Sequence, residues 1–200
     1  MMSISVKSLF ATQTPASKIY YPLGTVRCDG PPVFRSQLAR DIACLLDVDD
    51  EVTSWTCMSV PFEHQDELHR PDFEVTRADE TFLVEACCEN FGNIEALYES
   101  ARAAGYRYEL VERTALPTIR LKNARDLLRY ARFEAALSDR IRLLAALDEN
   151  GSLSVAECLT AFQETKPVAG LASLSLQRFI TMELDEALIG PETQVRRQRD

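Results

Sequence analysis

The stretch HRPDFEVTRADETFLVEACC, from His69 to Cys88, decides the fold of this chain. It contains two short apolar runs, PDFEV and TFLVEAC, separated by the polar turn TRADE, and this pattern predicts an antiparallel hairpin. Side chains two residues apart on a strand share a face, so we expect Glu85 and Cys87 to project to one side. Asp72 begins the neighbouring strand, and its carboxylate is expected to converge with that of Glu85. Two such carboxylates can hold Mg²⁺. The alternative is that Asp72 caps a turn and Glu85 is an exposed acid.

The segments on either side of this hairpin predict a mixed sheet covered by helices. Ser36 is a good N-cap for a helix through SQLARDIACLLDV, which places several leucines and an isoleucine on one face. The alternating run VTSWTCMSVPF predicts a strand, and Asn93 and Gly105 are typical start and stop residues of the next helix. YRYELVER then predicts another strand. The order strand, hairpin, helix, strand indicates an α/β fold.

From Asn123 onward the pattern is helical. NARDLLRYARFEAALSDRIRLLAALDENG keeps one apolar stripe, the capping box Ser154–Glu157 opens a second helix, and a third is predicted from Pro167 to about Met182. The end of the chain predicts a short two-stranded wing around Gly190 and Pro191. We therefore expect a first domain at 1–130, with an irregular arm at 1–33, and a small winged-helix-like domain at 131–200.

Composition is that of a soluble globular chain, with 46% hydrophobic residues and a net charge of −9. The six cysteines, at positions 28, 44, 57, 87, 88 and 158, form no CxxC pair and no zinc spacing, which is typical of reduced cytosolic thiols. The sequence shows no signal peptide and no apolar run of membrane-spanning length. We expect a cytoplasmic protein with no membrane partner.

Charge is unevenly distributed along the chain. Residues 29–99 hold four basic and seventeen acidic side chains, whereas residues 102–142 hold ten basic and five acidic ones. If residues 123–150 form one helix, five basic side chains project into one sector and can follow a phosphate backbone. The alternative is a solvated helix face with internal salt bridges. The predicted DNA-binding residues are Lys122, Arg125, Arg129, Arg132 and Arg140, with Arg196 and Arg197 of the C-terminal tail as a second group.

Three segments in one order carry a resemblance to a known family: VFRSQLARDIACLLDVDDEVTSW, PFEHQDELHRPDFEVTRADETFLVEACC and LPTIRLKNARDLLRYARF. Together they resemble the TnsA-like endonucleases, a branch of the PD-(D/E)xK nucleases that serve heteromeric cut-and-paste transposons. SDRIRLLAALDENGSLSVAECLTAF is similar to the winged-helix domain of that family. The resemblance covers roughly residues 33–195 and implies a PD-(D/E)xK nuclease-like domain followed by a winged-helix-like domain.

The resemblance implies an impaired active site. Asp72, after Pro71, matches the metal-binding acid, and Glu85 matches the second acid. The first-helix glutamate of the family falls on Ala39, and its lysine falls on Cys87. A cysteine supplies no fixed positive charge to stabilise a developing phosphate charge. Most of the cutting chemistry is therefore expected to be lost.

The leading hypothesis is a catalytically impaired DNA-binding or assembly subunit of a DNA-processing or regulatory complex. Its protein partner would be transposase-like, regulatory or a second copy of itself. The third predicted helix, which carries only Gln177 and Arg178 as base-reading side chains, suits protein packing better than groove reading. No cofactor is expected, except Mg²⁺ if Asp72 and Glu85 are functional. The alternatives are an active metal-dependent DNA endonuclease that uses these two acids, and a protein-binding adaptor without nucleic acid contact.

Overall fold

The computed structural model of the chain describes residues 24–58, 60–87 and 93–199, so residues 1–23 of the predicted arm and Cys88 lie outside the described residues. The described part is a mixed α/β structure, and this coarse prediction of an α/β fold with a mixed sheet is confirmed. The strands are β1 (Val52–Cys57), β2 (Phe62–His64), β3 (Glu67–His69), β4 (Phe73–Arg77), β5 (Glu80–Ala86), β6 (Arg107–Val111), β7 (Ser152–Ser154), β8 (Ile180–Met182) and β9 (Gln194–Arg197). The α-helices are α1 (Gln37–Asp47), α2 (Ile94–Ala103), α3 (Thr118–Leu128), α4 (Leu137–Asn150), α5 (Val155–Cys158) and α6 (Pro167–Leu176).

The central sheet has the strand order β1-β4-β5-β6. Strands β1, β4 and β5 are antiparallel, whereas β6 runs parallel to β5 after the crossover through α2. The predicted hairpin is confirmed as β4 and β5, and its turn residues Ala78 and Asp79 have φ angles of 44° and 77°. Positive φ at both turn residues matches the right-handed twist of the two strands.

The two faces of this sheet pack against different helices. One face lies under α1, which begins where the Ser36 hydroxyl accepts a hydrogen bond from the Ala39 backbone N–H at 3.0 Å. The apolar cluster between them includes Trp55 and Phe73. The other face packs against α2, capped by Asn93, through a smaller cluster that includes Leu83. Both predicted N-caps are confirmed.

A second hairpin, formed by β2 and β3, departs from the sequence prediction. The run VTSWTCMSVPF was expected to form one strand through Phe62, but β1 ends at Cys57 and Met58 has a φ of 47°. The chain then makes the short antiparallel pair β2–β3, with its turn at Gln65 and Asp66, which also have positive φ. Alternation of apolar residues continued across this break, so periodicity alone did not reveal it.

The C-terminal half consists of α4, α5, α6 and a three-stranded antiparallel sheet of order β7-β9-β8. The predicted capping box is confirmed, since Ser154 and Glu157 exchange both hydrogen bonds. The third predicted helix is shorter than expected, because Arg178 adopts a φ of 59° and its guanidinium donates to the carbonyls of Asp49 and Val52. Residues 183–193 connect β8 to β9, and β8 (Ile180–Met182) lies where the end of the third helix was predicted, so only β9 falls within the segment predicted to form the two-stranded wing.

The single long helix predicted from residue 123 to residue 150 is wrong. Helix α3 ends at Leu128 and α4 begins only at Leu137, although the intervening residues have good helix propensity. Tertiary contacts hold the break: the Ser173 hydroxyl donates to the Phe133 carbonyl, and the Ala136 N–H donates to the Thr165 hydroxyl. These bonds replace those that a continuous helix would make.

One apolar cluster joins the two halves of the chain. Cys44 of α1, Leu121 of α3 and Leu176 of α6 belong to it, so α6 packs on the helices of the first half. Asn123, 1% exposed, donates from its amide to the carbonyls of Leu184 and Ala187 and ties α3 to the 183–193 loop. None of the helices in the described ranges is long and apolar enough to span a membrane.

Asp139 in the first turn of α4 anchors the segment that leads into α6. Its carboxylate accepts hydrogen bonds from the backbone N–H groups of Gln163, Glu164 and Thr165. Burial alone would raise the pKa of Asp139, but these hydrogen bonds outweigh it and hold the pKa well below its usual value. Arg142 donates to the same carboxylate.

We expect Asp139→Asn to lower the melting temperature in a pH-dependent way, because a neutral amide accepts fewer of these hydrogen bonds. A carboxyl whose pKa is lowered by folding stabilises the fold fully above its unfolded-state pKa and loses that effect as the pH falls. The deficit of the variant should therefore be largest near neutral pH and should shrink below about pH 4. Thermal scans between pH 2 and 7 measure this. The exposed, ion-paired Asp148→Asn is the matched control, and a deficit independent of pH would contradict the assignment.

Gly170→Ala should destabilise the protein although alanine is the better helix former. A Cβ at this position would overlap the ring of Phe162 and would lie 3.2 Å from the Thr165 methyl group. Overpacking of this kind costs about 1–3 kcal/mol, which exceeds the gain of at most about 1 kcal/mol in helix propensity. We expect a net loss of about 1–2 kcal/mol in the free energy of unfolding, measured by urea denaturation. Val168→Ala on the exposed side of α6 is the control, and a stabilised Gly170→Ala variant would refute this packing.

Candidate functional site

The register of β4 and β5 places Asp72 beside Glu85. Phe73 pairs with Val84 in this antiparallel ladder, so the residue before Phe73 faces the residue after Val84. Asp72 and Glu85 are only 5% and 4% exposed. Glu85 is therefore a buried acid, and the alternative of an exposed strand acid is wrong. Burying two adjacent carboxylates requires positive charge or hydrogen-bond donors nearby.

Arg35 supplies that positive charge. It precedes the N-cap of α1, and its Nε lies 2.8 Å from Asp72 Oδ1 while its Nη2 lies 3.2 Å from Glu85 Oε1. Burial alone would lower the pKa of Arg35, but its ion pairs with the two carboxylates outweigh burial and raise the pKa. The guanidinium therefore stays charged and bridges the acids.

The two remaining carboxylate oxygens are also occupied by protein donors. Asp72 Oδ2 accepts a hydrogen bond of 2.9 Å from the Ala86 backbone N–H. Glu85 Oε2 lies 2.6 Å from His69 Nε2 and accepts a hydrogen bond from the Tyr108 hydroxyl. Burial, together with Glu85, raises the pKa of Tyr108, so this phenol keeps its proton and remains a donor. All four oxygens of the pair thus have a donor. We call these five residues, Arg35, His69, Asp72, Glu85 and Tyr108, the acid-pair cluster.

The acid-pair cluster does not fit a Mg²⁺ ion as it is arranged. Such an ion binds through carboxylate oxygens, and each oxygen here already accepts a hydrogen bond. Arg35 would have to leave before an ion could bridge Asp72 and Glu85. Among the described residues, no group of three or more His, Cys, Asp and Glu side chains is placed to hold a metal.

Ala39 and Cys87 are the two positions predicted to have lost catalytic residues. Ala39 is completely buried in the apolar cluster under α1, together with Ala86 of β5. Cys87 follows β5, and its backbone N–H donates to the Val111 carbonyl at 2.9 Å, so it continues the pairing toward β6. Ala39 thus lies on α1, and Cys87 directly follows β5.

The site residues predicted from the sequence did not include Arg35, His69 or Tyr108. Arg35 directly precedes the capping serine, and this position alone does not indicate that it reaches across to β4 and β5. Tyr108 reaches Glu85 because β6 is parallel to β5, with Leu83 opposite Tyr108 and Glu85 opposite Leu110. A strand pairing of that kind is decided by the crossover through α2, and local periodicity carries no information on it.

The predicted basic surface is not one helix face. Arg132 lies between α3 and α4, and Arg140 lies on α4, where its guanidinium stacks over the Phe179 ring at 4.6 Å. Arg125 forms an ion pair with the buried Asp41, and Arg129 Nη2 lies 3.5 Å from Asp126. The alternative of internal salt bridges therefore holds for Arg125 and Arg129. The exposed members are Lys122, Arg129 and Arg132.

Arg196 and Arg197 do not belong to an irregular tail. Both lie in β9, where Arg196 pairs with Ser152 of β7 and Thr181 of β8. Arg197 forms an ion pair with Asp148 of α4, whereas the side chain of Arg196 is exposed. Only Arg196 of this second group therefore presents its charge to solvent without an ion pair in the described part of the chain.

Comparison with known proteins assigns no family to this arrangement. No protein-family model matches the chain, and no curated protein matches its sequence at a significant level.

Arg35→Gln should destabilise the protein, because it leaves two buried carboxylates without their shared cation. Removing one partner of a fully buried ion pair costs about 3–5 kcal/mol. The Arg35 side chain is 43% exposed, so solvent screening reduces the expected loss to about 1–3 kcal/mol. Denaturant unfolding at pH 7 measures this, and a variant as stable as the natural protein would contradict the bridging role of Arg35.

The same variant should acquire a response to Mg²⁺. Once Arg35 is absent, millimolar Mg²⁺ or Mn²⁺ can take its place, and we expect the ion to raise the melting temperature of Arg35→Gln but not of the natural protein. The matched control is Arg35→Gln combined with Glu85→Gln, in which the response should disappear. Equal metal-dependent stabilisation of the natural protein would show that Arg35 does not take the place of an ion.

Proposed function

We propose that the chain is a non-cleaving DNA-binding or assembly subunit related to the TnsA-like endonucleases. Its first part would be a PD-(D/E)xK nuclease-like domain and its second a winged-helix-like domain. The observation that carries the proposal is the acid-pair cluster, in which Arg35 bridges the two acids that an active nuclease would use to hold its metal. Such a site would keep the acids and the scaffold of a nuclease, but its acids form ion pairs with Arg35 in place of holding a metal.

The order of elements supports the fold part of the proposal. The motifs of the resemblance fall on α1, on the segment entering β4 and on β5, in that order, and a crossover helix and a parallel strand follow. The C-terminal order of helix, strand, two helices and a strand pair, with a three-stranded sheet of order β7-β9-β8, supports a winged-helix-like domain. The 183–193 loop would be its wing.

The chemistry of the site supports the loss of cleavage. Phosphodiester hydrolysis requires charge stabilisation beside the scissile phosphate, which metal ions and lysine or arginine side chains provide. Here Cys87 stands at the position of the lysine, and Arg35 is committed to Asp72 and Glu85. Arginine is also a poor general base because it remains protonated at neutral pH.

The distribution of exposed charge directs the proposed DNA contact to α3 and the turn that follows it. Lys122 on α3, Arg129 at its C-cap and Arg132 in the turn are exposed, and such positive side chains bind phosphates in a salt-dependent way. The 183–193 loop carries four acids, Glu183, Asp185, Glu186 and Glu192, and no lysine or arginine. It would repel DNA.

Helix α6 supports an assembly role for the C-terminal domain more than base reading. Seven of its ten residues are buried, and they pack against α3 and the apolar core of the C-terminal half. A helix buried in this way cannot enter a major groove. The C-terminal domain would therefore stabilise the nuclease-like part and contact a protein, whether a partner subunit or a second copy.

Binding without cleavage is the expected result when fluorescently labelled duplex DNA is titrated with the protein at two salt concentrations. The DNA should remain intact on a denaturing gel in the presence of Mg²⁺ or Mn²⁺. Replacing Lys122, Arg129 and Arg132 with alanine should weaken binding by at least about tenfold and reduce the slope of log affinity against log salt by up to about three. Arg102→Ala is the matched control, because this exposed arginine lies on α2, at the opposite face of the sheet.

Two outcomes would contradict the proposal. Cleavage that needs a divalent ion and disappears in Asp72→Ala and Glu85→Ala would identify an active endonuclease, and Arg35 would then have to move during turnover. An absence of binding at low salt would remove DNA from the proposal and favour the protein-binding adaptor. Light scattering on the same sample tests self-association separately.

A further inference from the structure

Two cysteines lie in contact outside the acid-pair cluster. The segment before α1 runs parallel to β1, where the Trp55 N–H donates to the Arg27 carbonyl at 3.0 Å and the Asp29 N–H donates to the Trp55 carbonyl at 2.8 Å. Cys28 is thus placed opposite Trp55, and Cys57 follows two residues later on β1. Cys57 shares a face of β1 with Trp55, so both cysteines pack against the same edge of the apolar cluster under α1, and the two thiols are close enough to shift each other's pKa. The two side chains meet through the fold although 28 residues separate them along the chain.

The surroundings of these thiols differ from those of Cys44 and Cys158. Cys28 and Cys57 are both half-buried at the edge of the apolar cluster under α1, and the Val33 N–H donates to Cys57 Sγ at 3.4 Å. Cys44 and Cys158 are buried in apolar clusters, and burial raises the pKa of each to about 11. Buried thiols of that kind are inert, whereas accessible thiols that form thiolates react.

The hydrogen bonds of the two sulfurs divide their roles. Cys57 Sγ accepts the hydrogen bond from the Val33 N–H, which favours a thiolate, and the pKa of Cys57 is lowered despite the opposing effect of burial. The Cys28 thiol donates to the Gly30 carbonyl at 3.5 Å, which favours the protonated form, and the neighbouring Cys57 together with burial raises the pKa of Cys28. Cys57 is therefore the nucleophile of the pair, with a second thiol already in contact to resolve an oxidised intermediate.

We propose that Cys28 and Cys57 form a peroxide-sensitive pair that closes to an intramolecular disulfide. The Cys57 thiolate attacks one oxygen of hydrogen peroxide, the O–O bond breaks, and the released hydroxide takes a proton to become water, leaving a sulfenic acid on Cys57. The Cys28 sulfur then attacks the Cys57 sulfur, the S–O bond breaks, and a second water leaves with the proton of Cys28. Two thiols and one peroxide become one disulfide and two waters. This inference does not depend on DNA binding.

The disulfide would tie the chain before α1 directly to β1. Cys57 already accepts the hydrogen bond from Val33, two residues before the arginine that bridges Asp72 and Glu85. Oxidation would therefore act on the segment 28–35 that places Arg35. A small thiol reductant such as dithiothreitol would restore the dithiol by exchange.

Mass spectrometry of the full chain after limited hydrogen peroxide treatment tests the proposal. We expect a loss of about 2 Da, because two hydrogens leave, and a peptide pair joined between Cys28 and Cys57. Trp55, the single tryptophan of the chain, lies opposite Cys28, and its fluorescence should fall on oxidation and recover with dithiothreitol. Neither change should occur in Cys28→Ser.

The single-cysteine variants separate the two roles. Cys28→Ser should accumulate a sulfenic acid on Cys57 that dimedone labels, whereas Cys57→Ser should leave Cys28 at least about tenfold slower to react than Cys57. Cys87→Ser is the matched control, since it removes a half-buried thiol elsewhere and should form the same disulfide. Preferential oxidation of other cysteines, disulfides only between molecules, or oxidation of Cys57 no faster than of Cys44 would overturn the proposal. Intact folding of each variant is checked by circular dichroism.

Discussion

Two carboxylates buried side by side need a shared cation, and in this protein Arg35 provides it. The antiparallel register of β4 and β5 fixes Asp72 opposite Glu85, and neither acid can turn to solvent from its position on the central sheet. Arg35 reaches both from the start of α1. The ion pairs therefore hold α1 over the end of the sheet and define the acid-pair cluster. Metal coordination and this internal bridge compete for the same oxygens, so one arrangement excludes the other.

The predictable features are those with local physical causes. Ser36, Asn93 and the Ser154–Glu157 capping box satisfy backbone donors within three residues of themselves, and the structure has helix starts at all three. The hairpin of β4 and β5 and the closeness of Asp72 to Glu85 follow from strand periodicity and a short turn. These features were predicted from the sequence because no distant residue needs to be known to derive them.

The features that sequence reasoning missed depend on distant contacts. The break after Leu128 is held by bonds to Thr165 and Ser173, about 30–40 residues further along the chain. The β2–β3 hairpin follows a break in the strand at Met58, which has a positive φ. The alternation of apolar residues did not indicate this break. Arg35 reaches the two acids because it lies just before the start of α1. Tyr108 reaches Glu85 because β6 pairs in parallel with β5 after the crossover through α2. Local propensity was adequate in each segment, but packing between segments determined the outcome.

The same principle explains why the count of arginines overestimated the basic surface. Buried acids in this protein bind the nearest arginines: Asp41 pairs with Arg125, and Asp139 pairs with Arg142. The ion pair between a buried carboxylate and a guanidinium is stronger than the contact between an exposed guanidinium and a solvated phosphate, because water screens the exposed charges. Charge that neutralises the interior is not available to a polyanion. Among the predicted DNA-binding residues of 102–142, the exposed charge that remains, at Lys122, Arg129 and Arg132, is therefore smaller than the sequence suggests.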